Sequence, residues 1–207
     1  MSADFLANIP SLVSPKCNVG LMKPFSENEV LDVICAMELD KAPGTDGFSF
    51  HFYGACWKII KADLILMVAA FQKKGKVGGC MDSTFLALIP KEVNPSSFNR
   101  FRPISLCNAS YKILAKLLAN RFKLLLEKLI SPLQRGFVKG RHLVDNVIQV
   151  QEALHSSFQR KEKGMLIKLD MKNVFDRVKL PFLYQVLLSF GFSSEFVKLT
   201  KDCTNRP

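Results

Sequence analysis

The chain has 207 residues, 48% of them hydrophobic and 17 of them Phe, enough apolar material for one large domain or two small ones and too much for general disorder. Its 29 Lys and Arg against 18 Asp and Glu give a formal net charge of +11, which points to a polyanionic partner, nucleic acid first and a membrane surface second. No apolar run approaches the ~20 residues that span a bilayer and no basic-then-apolar leader opens the chain, so a soluble, intracellular protein is expected.

Residues 1–25 carry Pro10, Pro15 and Pro24 among mixed polarity and read as an irregular lead-in. Ser26-Glu27-Asn28-Glu29 is a capping box, opening a helix expected to bury Val30, Ile34 and Met37. It ends near Asp40, where Lys41–Gly47 (KAPGTDG) is dense in turn residues. Phe52–Phe71 is expected to be helical, with Trp57, Ile60, Leu64 and Met67 or Val68 toward a core, and a basic loop, Lys73–Gly79, follows. Thr84–Ile89, TFLALI, closed by Pro90, reads as a strand and Phe101–Leu106 as a second, with the polar Asn94–Arg100 as a hairpin-like turn between them.

Ser110 precedes the longest expected helix, Tyr111–Ile130, which Ser131-Pro132 terminates. Its apolar set Ile113, Leu114, Leu117, Leu118, Phe122, Leu125 and Leu129 fits period 3.6, and Lys112, Lys116, Arg121, Lys123 and Lys128 are expected to point outward. The glycine-rich basic loop Gly136–Arg141 leads to a helix over Asp145–Phe158, then a strand over Met165–Leu169. Pro181 opens a last helix that stops near Gly191. Helices come in runs, with strands in small groups between them, which favours an α+β fold over a doubly wound sheet.

Cys17, Cys35, Cys56, Cys80, Cys107 and Cys203 include no C-x-x-C pair, so reduced thiols are expected rather than zinc ligands or a disulfide framework. His51, His142 and His155 are equally scattered and suggest neither a metal centre nor a triad.

The residues best suited to chemistry lie in Gly164–Asp176, GMLIKLDMKNVFD. Asp170 ends an apolar run where its carboxylate can reach a cation, and Asp176 follows six positions later, behind Phe175. Mg²⁺ takes oxygen ligands and keeps only one or two protein carboxylates, so this is half of a phosphoryl-transfer site. The competing reading is an ordinary turn or N-cap aspartate. Basic residues recur at turns: Lys91 after the first strand, Arg102 at the start of the second, and Lys139 with Arg141 around Gly140. A hairpin carrying Lys91 and Arg102 can close over a triphosphate; solvated surface charge is the alternative for each. Lys139 and Arg141 suit contact with backbone phosphates, because glycine lets the main chain approach closely.

Taken together, KAPGTDGFSFHFYGACWKII, STFLALIPK, FRPISLCNASYKILAKLLANRFK, QRGFVKGRHLVDN and IKLDMKNVFDRV make the chain resemble the reverse transcriptase of non-LTR (LINE-type) retrotransposons, the plant versions most of all. The stretches stand in the family's order and spacing over about residues 26–192. The resemblance implies a fragment of a right-hand polymerase, α+β and helix-rich: residues 26–163 as fingers and adjoining palm edge, 164–207 as the start of the palm.

By the same resemblance, Asp170 is the first metal-binding aspartate, with the Met171 carbonyl on the same Mg²⁺ pair. Phe175 is the steric gate beneath the incoming sugar, consistent with the 2′-hydroxyl being the handle that separates ribose from deoxyribose. Lys91 and Arg102 grip the nucleotide triphosphate. Lys41 and Gly44, in the KAPGTDG loop, help to hold the RNA template, and Gln134, Gly136 and Phe137 belong to a further family motif. Asp176 is typical of the family without being a metal ligand. The implied partners are an RNA template, a DNA primer and dNTPs, with no membrane and no obligate oligomer, and the implied location is the nucleus.

The chain departs from the family at Val174, where a small residue is usual, and at Asn173, commonly basic. The paired aspartates that supply the other metal carboxylates do not occur before Pro207. Two-metal catalysis needs cations about 3.5–4 Å apart, so these residues alone are expected to lack polymerase activity. The alternatives are a catalytically dead nucleic-acid-binding module or a non-functional retroelement remnant.

Overall fold

Ser26 opens its helix in the way a capping box requires. The Glu29 amide donates to Ser26 Oγ at 3.2 Å and the Ser26 amide donates to the Glu29 carboxylate at 2.9 Å, so two otherwise orphaned donors are satisfied reciprocally. This helix is one of a set seen in a computed structural model that describes residues 6–75, 78, 81, 83–138, 140–161, 163–169 and 177–204. In chain order the elements are α1 (Pro15–Met22), α2 (Glu27–Cys35), α3 (Phe50–Ala55), α4 (Trp57–Lys74), β1 (Thr84–Pro90), β2 (Phe101–Cys107), α5 (Ala109–Leu129), α6 (Leu143–Gln159), α7 (Leu180–Ser189) and α8 (Ser194–Thr204). Helices with a two-stranded antiparallel sheet make this an α+β arrangement.

The core is built around α5. Its Ile113, Leu114, Leu117 and Leu118 recur at helical spacing and are all buried. They meet Val30, Val33 and Ile34 of α2 and Leu64, Val68 and Phe71 of α4. On the other side, Phe122 of α5 stacks with Phe192 and Phe196, at centroid distances of 5.2 and 6.3 Å. Fully burying each such side chain is worth roughly 1.5–3 kcal/mol, which outweighs the modest intrinsic helix propensity of the β-branched and aromatic residues.

The lead-in expected to be irregular holds a helix instead. Ser14 caps α1 by accepting from the Cys17 amide at 3.3 Å, with Pro15 in the first turn, where its missing N–H costs nothing. The segment is stitched to the far end of the chain: Leu12 and Val13 amides both donate to the Phe190 carbonyl at 2.9 Å. Asn18 Nδ2 donates to the Gly191 carbonyl at 2.7 Å, and Asn18 Oδ1 accepts from the Ser193 amide at 2.9 Å. Gly191 has φ +93°, and a Cβ there would lie 2.6 Å from Ser11 Oγ and 2.8 Å from the Val13 carbonyl oxygen. Only glycine fits this approach.

Arg121 is corrected too. Expected on the outer face of α5, it is 6% exposed. Its Nε and one Nη donate to the two Glu29 carboxylate oxygens at 3.0 and 3.1 Å. The guanidinium also donates to the carbonyls of Leu21, Lys23 and Pro24 and lies 3.7 Å from the Phe25 ring centroid. The C-terminal carbonyls of α1, which have no intrahelical partner, are thereby satisfied, with help from Gln72 Nε2 on the carbonyls of Met22 and Lys23.

Three further expectations shift. The helix expected over Phe52–Phe71 is divided at Cys56, which departs from helical geometry at φ −93°, ψ 9°. A second C-terminal helix, α8, follows α7 and turns Phe196, Val197 and Leu199 into the core. Residues 165–169, expected as a buried strand, have no strand partner among the described residues, and Met165 and Leu169 are 83% and 85% exposed. A buried apolar strand needs neighbouring strands at its edges and packed elements over its faces, and among the described residues this segment pairs with no strand.

Candidate functional site

β1 and β2 form a hairpin in which Ile89 faces Arg102 and Pro90 faces Phe101. Pairing runs one residue further, with the Lys91 amide donating to the Arg100 carbonyl at 2.8 Å. The connecting loop closes on itself through an Arg100–Glu92 ion pair and a short 3₁₀ turn, Phe98–Arg100, while Asn94 takes the left-handed conformation at φ 58° that asparagine tolerates. Lys91 Nζ donates to the Asn99 carbonyl at 2.8 Å. Lys91 and Arg102 line the same concave surface, of about 640 Å³, together with Phe98, Asn99 and Phe101. The strand register thus brings together two cations 11 positions apart in sequence, in a setting open to solvent. Anion binding there needs no buried charge.

The KAPGTDG loop is anchored at the root of that hairpin. Asn108 follows directly after β2, precedes α5 and is 2% exposed. Its Oδ1 accepts from Thr45 Oγ1 and from the Asp46 amide, both at 3.1 Å. A Cβ on Gly44 would lie 2.3 Å from Asn108 Oδ1 and 2.4 Å from its backbone nitrogen, so Gly44 is demanded by contact rather than by an unusual φ. Asp46 Oδ1 accepts from the Phe48 amide at 3.0 Å, an Asx turn. Lys41 lies at the exposed end of the loop, 3.3 Å from Glu38. Below it, burial pushes the Tyr53 hydroxyl pKa up, the Asp46 charge adds to the rise, and a hydrogen bond from Ser110 opposes it.

The Gly136–Arg141 loop is held by Arg141 itself. Its guanidinium donates to the carbonyls of Ser131, Gln134 and Ile130 at 2.6, 2.7 and 3.2 Å, so this arginine secures the end of α5 and the turn beyond it. Arg135 pairs with Asp145 of α6 at 3.4 Å. Phe137 stands 91% exposed with φ 63°, a strained setting for an aromatic residue. Gln134 Nε2 donates to the Gly136 carbonyl at 3.3 Å.

Asp170, Met171, Phe175 and Asp176 lie outside the described residues, as do Lys139, Asn173 and Val174. Among the described residues no group of three or more His, Cys, Asp or Glu could hold a metal ion. No described helix is long and apolar enough to cross a membrane.

Sequence reasoning missed Asn108, Asn18 and the Arg121–Glu29 pair. For Asn108 a signal existed, since asparagine directly before a helix is a favoured N-cap; here its side chain turns outward to a loop 62 residues earlier.

Residues 89–205 match the family model described as reverse transcriptase (RNA-dependent DNA polymerase). The chain is 30% identical over 190 residues to the transposon TX1 uncharacterized 149 kDa protein of Xenopus laevis, covering 92% of this chain and 14% of that protein. It is 29% identical over 166 residues to the probable RNA-directed DNA polymerase from transposon BS of Drosophila melanogaster, covering 76% and 18%. A Pol polyprotein of a type-2 retrotransposable element from the same fly is 29% identical over 114 residues, 55% of this chain and 11% of that protein. The chain spans less than a fifth of each relative's length, and the family match takes in the turn end of the hairpin, β2, α5 and the chain beyond as far as residue 205. The chain belongs to the reverse transcriptase family of transposable elements.

Proposed function

We propose that the chain forms the fingers and the first part of the palm of a right-hand, RNA-directed DNA polymerase of the LINE type. In this reading Lys91 and Arg102 hold the triphosphate of an incoming dNTP, and the KAPGTDG loop, with Lys41 and Gly44, lies along the RNA template. Lys139 and Arg141 border the path of the nucleic-acid backbone, Arg141 by shaping the loop rather than by a bare charge. Asp170 and the Met171 carbonyl are the proposed ligands of Mg²⁺, which would supply electrostatic stabilisation of the transferring phosphoryl group. Phe175 is the proposed gate against ribonucleotides. Action in the nucleus is part of the same proposal.

The observation that carries this reading is the convergence of Lys91 and Arg102 on one solvent-open concavity at the tip of a hairpin. Two cations held at one end of a paired hairpin, Lys91 just past β1 and Arg102 on β2, are placed to neutralise the charge that phosphoryl transfer develops. A protein made of these 207 residues is expected to bind single-stranded RNA with an affinity that falls steeply with salt, and not to extend a primer. Fluorescence anisotropy across a salt series tests the first point. Template-dependent primer extension with Mg²⁺ or Mn²⁺ tests the second, and any product overturns it. The steric and electrostatic roles separate by substitution: Lys91→Ala with Arg102→Ala should abolish dNTP-dependent protection of the hairpin amides from hydrogen exchange while leaving the fold intact.

A further inference from the structure

We infer that Asn108 is a positioning residue that locks the template loop to the root of the nucleotide hairpin, so that both proposed binding elements move as one unit; this rests on the reading given above. Asn108 touches neither proposed ligand, and its place in the chain is what matters. It is the single residue between the last residue of β2 and the first of α5, and α5 is the element around which the core packs. Its side chain is removed from solvent at 2% exposure and spends its carbonyl oxygen on the loop, accepting from the Thr45 hydroxyl and the Asp46 amide at 3.1 Å each.

Its main chain is used as well. Gly44 packs so closely on Asn108 that a Cβ would come within 2.6 Å of three of its atoms, two of them backbone. The loop is therefore held both by hydrogen bonds and by a contact that tolerates no side chain. Without the Asn108 carbonyl oxygen, the Asp46 amide and Thr45 hydroxyl return to water and the loop gains alternative positions. Binding an extended RNA would then have to re-order it, and that ordering is lost from affinity.

The test uses the full chain and a fluorescein-labelled single-stranded RNA, with anisotropy titrations, amide hydrogen exchange and thermal melting. Asn108→Ala removes both bonds to the loop and should weaken RNA binding about fivefold or more, the equivalent of ~1 kcal/mol or above, and speed exchange of the Asp46 amide. Thr45→Val, at a half-buried position of the loop, removes one of the two bonds and should weaken RNA binding by a smaller factor without touching the start of α5, and Thr45→Ser, which keeps the hydroxyl, should bind like the original chain. The double variant should be no worse than Asn108→Ala alone, because the contact that Thr45→Val removes is already lost with the Asn108 oxygen. The salt slope should stay unchanged, since no phosphate contact is removed.

Faster Asp46 exchange with unchanged RNA affinity in Thr45→Val would reduce Asn108 to a structural role and overturn the inference. Additive losses or a shallower salt slope would overturn it too. If the original chain shows no salt-dependent RNA binding, the functional reading falls first and the inference with it; binding by the original chain with no loss in the variants removes only the inference.

Discussion

Arg121 carries a full charge to 6% exposure, a placement that is tolerated only with complete hydrogen bonding. It has that: both Glu29 oxygens and three main-chain carbonyls at the end of α1. Arg121→Ala strands those acceptors, though Glu29 itself keeps access to water, and should cost about 1–3 kcal/mol, the range for leaving buried acceptors unsatisfied, while Arg121→Lys should recover part of it; urea denaturation reads both. For Glu29, burial alone would raise the carboxyl pKa, but hydrogen bonds from Arg121 and from the Ser26 amide prevail and hold it below the ordinary value. The folded chain then binds fewer protons than the unfolded one, so this stabilisation is present above about pH 4.5 and is lost as pH falls through the lower folded value. Glu29→Gln should flatten the dependence of the melting temperature on pH in that acid range. The position of Arg121 was partly legible. It lies four residues after Leu117 and three after Leu118, on the buried stripe of α5, but reading a charged residue as solvent-facing overrode the period. What no local pattern contains is Glu29, 92 residues earlier.

The elements most visible in the sequence were those that carry their own signals. The capping box before α2, the 3.6-residue apolar period of α5 and the two apolar runs of the hairpin all lie within short windows. The elements that were missed depend on distant partners. α1 forms where prolines suggested irregular chain because Ser14 caps it and the turn after α7 receives it. Gly191 is the contact point of that junction. Gly191→Ala adds a Cβ at φ +93° within 2.8 Å of a main-chain oxygen, and should cost about 2 kcal/mol, left-handed strain plus displacement of Val13. Limited proteolysis should show the N-terminal segment cut first in this variant, before global melting. For the candidate site, Lys91 and Arg102 were legible from the hairpin reading, whereas the anchoring of the KAPGTDG loop on Asn108 joins segments 62 residues apart.

Across the whole molecule, burial is uneven. α6 contributes no buried residue, although Val147, Ile148, Val150 and Leu154 lie on it with exposures from 40% to 56%. Residues 164–166 approach its far end to form an apolar concavity with Val150, Leu154 and Phe158. Both hairpin faces are bare as well, with Phe85 and Ile89 on one and Leu86 and Leu88 on the other, all at least 45% exposed. The chain's high apolar content is thus only partly used by its core. Leu154→Glu should change stability by no more than about 0.5 kcal/mol, while reducing light scattering at high protein concentration, because exposed apolar surface of this kind drives association. Destabilisation comparable to that of a core substitution would show that α6 is covered in solution. The junction of residues 11–18 with 190–193 has a consequence for synthesis. As the chain leaves the ribosome, the amides of Leu12 and Val13 wait for the carbonyl of Phe190, which is made only after the whole of the intervening stretch. Such late closure over so long a stretch is slow, so nascent intermediates should persist, holding Phe122 without its ring partners Phe192 and Phe196 and open to chaperone capture.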